Sequence, residues 1–110
     1  MQFKATHRYA RISPKKARLV ADLIRGQGIN DALQILRATP KRASYMLDKV
    51  LRSAIANADE SLEADMEALR IMDCRVDRGP MLKRWRARAR GQIGTIRKRT
   101  CHITVVLSDE

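Results

Sequence analysis

Apolar and polar positions alternate along the opening residues: Phe3, Ala5, His7 and Tyr9 fall on one side, and Gln2, Lys4, Thr6 and Arg8 on the other. A period of two predicts a strand with one buried face, with Tyr9 pointing inward. The period then lengthens. Ser13-Pro14 supplies an N-cap followed by proline at the first helical position, and Gly26 supplies a stop. Leu19, Val20, Leu23 and Ile24 form the expected apolar stripe of this helix. A short second helix starts at Asn30-Asp31 and buries Ala32, Leu33, Ile35 and Leu36. Thr39-Pro40 repeats the cap signal ahead of the strongest helical pattern. There Ala43, Met46, Leu47, Val50, Leu51, Ala54, Ile55 and Ala58 recur at spacings of three and four. Lys41, Asp48, Lys49 and Arg52 occupy its other face, and Ser53, Ala54, Ala56, Asn57 and Ala58 allow a neighbouring element to approach closely. This is the expected core helix.

An acidic loop around Ser61 to Glu67 precedes a second expected strand from Leu69 to Val76. A third carries Cys101, Ile103, Val105 and Leu107 alternating with His102, Thr104, Val106 and Ser108. Between them, Gly79-Pro80 breaks the pattern and Arg90-Gly91 offers turn chemistry, so the intervening stretch reads as a β-hairpin. Arms of ~10 residues would project ~30 Å at ~3.3 Å per residue. They hold too few apolar residues to pack on a core, and an isolated two-stranded hairpin is marginal in water. With 110 residues and no repeat or linker, the chain is expected to be one domain. Its globular part covers about 1–77 and 100–110, and its hairpin about 78–99.

Charge changes this picture most in the hairpin. Arg75, Arg78, Lys83, Arg84, Arg86, Arg88, Arg90, Arg97, Lys98 and Arg99 face one acid, Asp77, and carry nine of the eleven net positive charges of the chain. Residues 1–25 add seven cations against Asp22 alone, whereas residues 61–74 are net negative. Unpaired charges of this density cannot enter an apolar core, and in water they repel and extend the chain. A surrounding polyanion resolves both problems. A sequence pI near 10.7 agrees with nucleic acid as that polyanion, bound in a salt-dependent way through phosphate. Lys15, Lys16 and Arg18 crowd the start of the first helix, where they oppose its dipole by a few tenths to ~1 kcal/mol. An external anion would offset that cost; a solvated basic face is the plainer alternative.

Other chemistry is thinly represented. No apolar run approaches the ~20 residues of a membrane helix, and the opening residues Met1-Gln2-Phe3-Lys4 lack the apolar stretch of a secretory signal, so a cytosolic chain is expected. Cys74 and Cys101 lack CxxC spacing and read as small packing residues rather than a disulfide. His7 and His102 lack metal-ligand spacing, and no metal or cofactor is expected. His7 reads as a core or RNA-contacting residue on the apolar side of its strand. Neither a glycine-rich phosphate loop nor a nucleophile elbow nor paired carboxylates occur, so no catalytic residue is assigned and the chain is read as a non-enzyme.

Several ordered runs carry a resemblance: Ala10 through Gly26, Ser53 through Ala58, Asp77-Arg78-Gly79-Pro80, Leu82-Lys83-Arg84, Arg88-Ala89-Arg90-Gly91, and Ile96 through Val106. Together they span essentially the whole chain, which resembles the bacterial large-subunit ribosomal protein L-twenty-two family. The resemblance implies an α+β fold, with three helices packed on a small three-stranded antiparallel sheet and a long protruding basic β-hairpin. It implies a structural constituent of the large ribosomal subunit in the cytoplasm, binding large-subunit rRNA, aiding assembly, and lining the polypeptide exit tunnel with its hairpin tip. Implied partners are that rRNA, neighbouring large-subunit proteins including L-four, and the nascent polypeptide. No membrane is involved, and the protein is monomeric within the ribosome. Trp85-Arg86-Ala87, Gln92-Ile93-Gly94 and Cys101 depart from the usual family pattern.

Carried onto this chain, the rRNA-binding set is Arg11, Lys15, Lys16, Arg18 and Arg25 on the globular base, with Lys83, Arg84, Arg86, Arg88, Arg90, Arg97, Lys98 and Arg99 along the hairpin. The tunnel-lining tip is Arg84, Trp85, Arg86, Ala87, Arg88, Ala89, Arg90, Gly91 and Gln92, with Gly91 permitting the tight turn. Trp85 stacks on an RNA base or faces the tunnel in one reading, and folds back on the hairpin in the other. A free-standing nucleic-acid-binding regulator is the alternative from another class. It would require a recognition helix or aromatic sheet face, and neither pattern is present.

Overall fold

The computed structural model describes residues 1–61, 65–87 and 89–109. Strand β1 (Gln2–Ala10) is followed by helices α1 (Pro14–Ile24), α2 (Ile29–Ala38) and α3 (Arg42–Glu60), then by strands β2 (Arg70–Arg78), β3 (Leu82–Ala87), β4 (Ile93–Lys98) and β5 (Cys101–Ser108). The fold is α+β, as the resemblance implies. A three-stranded antiparallel sheet has the order β1-β5-β2, and β3 with β4 form a second, two-stranded sheet. The last strand is therefore central, held between the first strand and β2.

All three helices pack around one core. Val20, Ile24, Leu47, Leu51, Ile71, Ile103, Val105 and Leu107 are nearly or fully buried together. Helix α3 lies across β1 and β5, approaching through Ala54 and Ala58, and Asn57 donates from Nδ2 to the Lys4 carbonyl at 3.0 Å. Cys74 and Cys101 are both buried free thiols that do not oppose each other: Cys74 pairs with Val105, and Cys101 with Arg78 and Ala10. Burial pushes the Cys74 thiol up to about 11, against a smaller lowering influence from Arg25, and raises Cys101 as well, so both remain neutral packing groups.

Four expectations need correction. Tyr9 does not point inward: it is 62% exposed, and Ala10 fills the inward position. The ladder shifts between His7 and Ala10, which reverses the facing of everything beyond the shift. Leu19 and Leu23 are exposed, while α1 buries Pro14, Ala17, Val20, Ala21 and Ile24. Arg18 donates to the Val76 carbonyl and Arg25 to the Cys74 carbonyl, and these two tethers to β2 fix the rotation of α1 on its small-residue face. Thr39 closes α2 instead of opening α3, donating its hydroxyl to the Ile35 carbonyl at 2.7 Å. Pro40 forces the residue before it out of helical geometry, so α3 starts only after Lys41. Helix α2 begins slightly earlier than expected, at Ile29. Gly26 does stop α1, at φ 84°, and its N–H reaches the Ile71 carbonyl at 3.0 Å. The acidic loop is described only at its ends; positions 62–64 lie outside the described residues.

The hairpin is joined to the body at a tight crossing. Gly79 donates its N–H to the Thr100 carbonyl at 3.0 Å, and Thr100 donates its hydroxyl to the Pro80 carbonyl at 2.5 Å. Thr100 is buried, and a Cβ on Gly79 would stand 2.5 Å from its Oγ1, so only glycine fits there. Beyond this joint the ladder runs from Leu82 opposite Lys98 to Ala87 opposite Ile93. The radius of gyration is 17.0 Å, against ~13 Å for a compact chain of this length, because the arm stretches the molecule to 63 Å.

Candidate nucleic-acid interface

Two basic groups that lie far apart in sequence meet at the hairpin root. A cleft of about 610 Å³ is lined by Arg11, Lys16 and Arg42 from the body and by Arg84, Arg97, Lys98 and Arg99 from the arm. Ile12, Ser13, Leu82 and Thr100 also line it, and no acid does so among the described residues. The first turns of both α1 and α3 contribute to this wall, and neither contains an acidic residue. Ser13 caps α1 by accepting from the Lys16 N–H at 3.4 Å; α3 has no side-chain cap. Helix N-termini carry positive partial charge, so the dipoles add to the side chains instead of offsetting them.

A second groove of about 550 Å³ holds Lys15, Arg18, Arg78 and Arg99, together with Asp22. Arg99 and Thr100 line both concavities and so divide them. The expected base residues are thus distributed unequally. Arg11 and Lys16 enter the first cleft and Lys15 and Arg18 the second, whereas Arg25 lines neither and pairs with Asp22 at 2.6 Å. Arg18 has a structural duty as well, its guanidinium holding the Val76 carbonyl at 3.0 Å.

On the arm, successive side chains alternate between faces. Arg84 lines the cleft with Leu82, while Lys83 and Trp85, which alternate with them along the strand, are not among its lining residues. Lys83 pairs directly with Arg97 across the ladder. Like charges opposite one another destabilise a sheet pair, and no acid neutralises Lys83, Arg84, Arg86, Arg90, Arg97, Lys98 or Arg99 among the described residues. Trp85 is 73% exposed. The tip turns through Ala89–Gly91, with Arg90 at φ 63° and Gly91 at φ 74°, the left-handed geometry expected at Gly91. Gln92 and Arg86 are exposed; Arg88 lies outside the described residues.

Sequence reading missed Arg42, and counted Arg78 among the basic residues of the hairpin region without placing it in the rRNA-binding set. Arg42 hides behind the misplaced helix start, and only the packing of α3 beside α1 brings it to the cleft. His102 was left without a role; its Nδ1 accepts the Tyr9 N–H at 3.0 Å. No group of His, Cys, Asp and Glu able to hold a metal ion occurs among the described residues, and no helix there is long and apolar enough to cross a membrane.

Residues 5–108 match the family described as ribosomal protein L22p/L17e. The chain is 56% identical to the large ribosomal subunit protein uL22 of Pelotomaculum thermopropionicum, over all of this chain and 97% of the relative. It is 54% identical to the protein of the same description in Halothermothrix orenii, with the same coverage. The counterpart in Syntrophobacter fumaroxidans is 47% identical over the full length of both chains.

Proposed function

The chain belongs to the ribosomal protein L22p/L17e family, and from that premise we propose that it is a structural constituent of the large subunit of the cytoplasmic ribosome, not an enzyme. It binds large-subunit rRNA and aids assembly. The observation that carries this reading is the cleft where seven cations from body and arm converge with no acid among the described lining residues. A phosphate backbone running through it would draw body and arm together by charge neutralisation, and guanidinium groups give planar, two-pronged contacts to phosphate.

We infer in addition that Arg11, Lys15, Lys16, Arg18 and Arg25 serve the base, with Arg42 and Arg78 added to them, and that Lys83, Arg84, Arg86, Arg88, Arg90, Arg97, Lys98 and Arg99 serve the arm. The tip, Arg84 to Gln92, lines the polypeptide exit tunnel, beside the nascent chain and a loop of the L-four protein. The exposed Trp85 and the left-handed turn at Arg90-Gly91 support a tip that meets a surface other than its own body. Sedimentation of a lysate on a sucrose gradient, followed by crosslinking from residues 83–92, tests both levels. Co-migration with large subunits and crosslinks near the tunnel are expected. Free sedimentation, or association with messenger RNA, would favour a regulator instead.

A further inference from the structure

We propose that Tyr9 is a stacking platform for an unpaired RNA base, set beside the basic cleft by a strained bulge; the proposal rests on the cleft being an RNA interface. In the β1–β5 ladder His7 pairs with Ile103 and Ala10 with Cys101, so Arg8 and Tyr9 together oppose His102. Tyr9 takes up the extra length with φ 57°, a conformation that bulky side chains rarely adopt. Glycine or asparagine would sit there without that strain. Two contacts hold the tyrosine in place: its N–H donates to His102 Nδ1 at 3.0 Å, and its ring meets the His102 ring edge-to-face at 4.9 Å and 87°.

The bulge has a directional effect. In unbroken register residue 9 would share the inward side with Phe3, Ala5 and His7. The extra residue gives that place to Ala10, which is 1% exposed, and leaves the tyrosine ring 62% exposed. Bulges commonly re-aim a side chain next to a functional site. Here the side chain is a ring excluded from the core, with exposed Arg8 before it and exposed Arg11 two residues after it. Arg11 belongs to the cleft wall. An exposed aromatic ring flanked along the chain by exposed Arg8 and Arg11 suits a nucleotide whose base stacks while its phosphates meet the arginines. An acidic or apolar protein surface would leave one of those two features unmatched.

The test uses the full chain and purified large-subunit rRNA, with affinity measured over a series of salt concentrations. Tyr9→Asn keeps a residue that tolerates positive φ and removes the ring. It is expected to bind about tenfold more weakly at every salt concentration, with an unchanged salt slope and an unfolding midpoint no lower than that of the parent. Tyr9→Phe should bind like the parent, and Arg11→Ala should flatten the salt slope. Parental affinity in Tyr9→Asn, or a loss that vanishes at high salt, overturns the stacking role while leaving the cleft reading intact. A photoreactive phenylalanine at position 9 covers the case in which Tyr9→Asn misfolds: a crosslink to a base supports the proposal, and none overturns it. If the parent chain binds this RNA no better than an unrelated RNA, the cleft reading itself fails.

Discussion

The globular body and the hairpin arm are built on opposite terms. In the body, side chains of Ile24, Leu47, Leu51, Ile71, Ile103 and Leu107 are removed from water together, and charged groups stay outside. In the arm, Lys83 to Arg86, Ala89 to Gln92, Arg97 and Lys98 are exposed, and Leu82 and Gly94 are half-buried. The body is held by apolar area, at about 25 cal/mol per Å². The arm is joined by its backbone ladder, opposed by cations that face one another as Lys83 faces Arg97. One chain therefore contains a part built around an apolar core and a part whose described cations face no acid. The boundary between them is the Gly79–Thr100 joint, where the body's packing ends.

That contrast can be broken most forcefully in the core. Leu51→Ala should lower unfolding free energy by about 2–5 kcal/mol in urea titration, because a fully buried Leu leaves a cavity the surrounding helices fill only in part. A comparable loss from Arg86→Ala on the arm would mean the two regions are not independent. Next comes the joint. Gly79→Ala places a Cβ against Thr100 Oγ1 and 3.3 Å from the Thr100 carbonyl carbon, so the crossing must open. A loss of about 1–3 kcal/mol is expected. Small-angle scattering should show a radius of gyration displaced from 17.0 Å as the arm changes direction; an unchanged value would remove the joint's role in aiming it. The smallest effect lies in the arm itself. Arg97→Glu turns a repulsive cross-strand pair with Lys83 into an attractive one, which should strengthen arm pairing by ~0.2–1 kcal/mol. Amide exchange across β3 and β4 measures the gain, while affinity for rRNA should fall. A simultaneous rise in both would contradict the division of labour.

Much of this was legible in the residues. The period of two in β1, the Ser13-Pro14 start, the Gly26 stop and the apolar spacing of α3 are local signals, because helix and strand geometry repeat over a few residues. The concentration of Arg and Lys between two turn signals identified the arm for the same reason: charge cannot be hidden, so its density shows in any order of packing. The Arg90-Gly91 turn was equally readable, since positive φ selects glycine.

What the sequence alone could not decide was set by contacts between distant segments. One extra residue opposite His102 turned Tyr9 outward, and a bulge depends on a partner strand nearly a hundred positions away. Tethers from Arg18 and Arg25 to β2 carbonyls chose which stripe of α1 faces inward, overriding the larger residues Leu19 and Leu23. The placement of β5 at the sheet centre follows from its pairing with both β1 and β2, and the gathering of Arg42 with Arg84 and Arg97 in one cleft follows from the packing of α3 beside α1. The chain order specified which residues carry charge and which avoid water; the tertiary fold decided which charges stand together, because electrostatic focusing depends on distance in space.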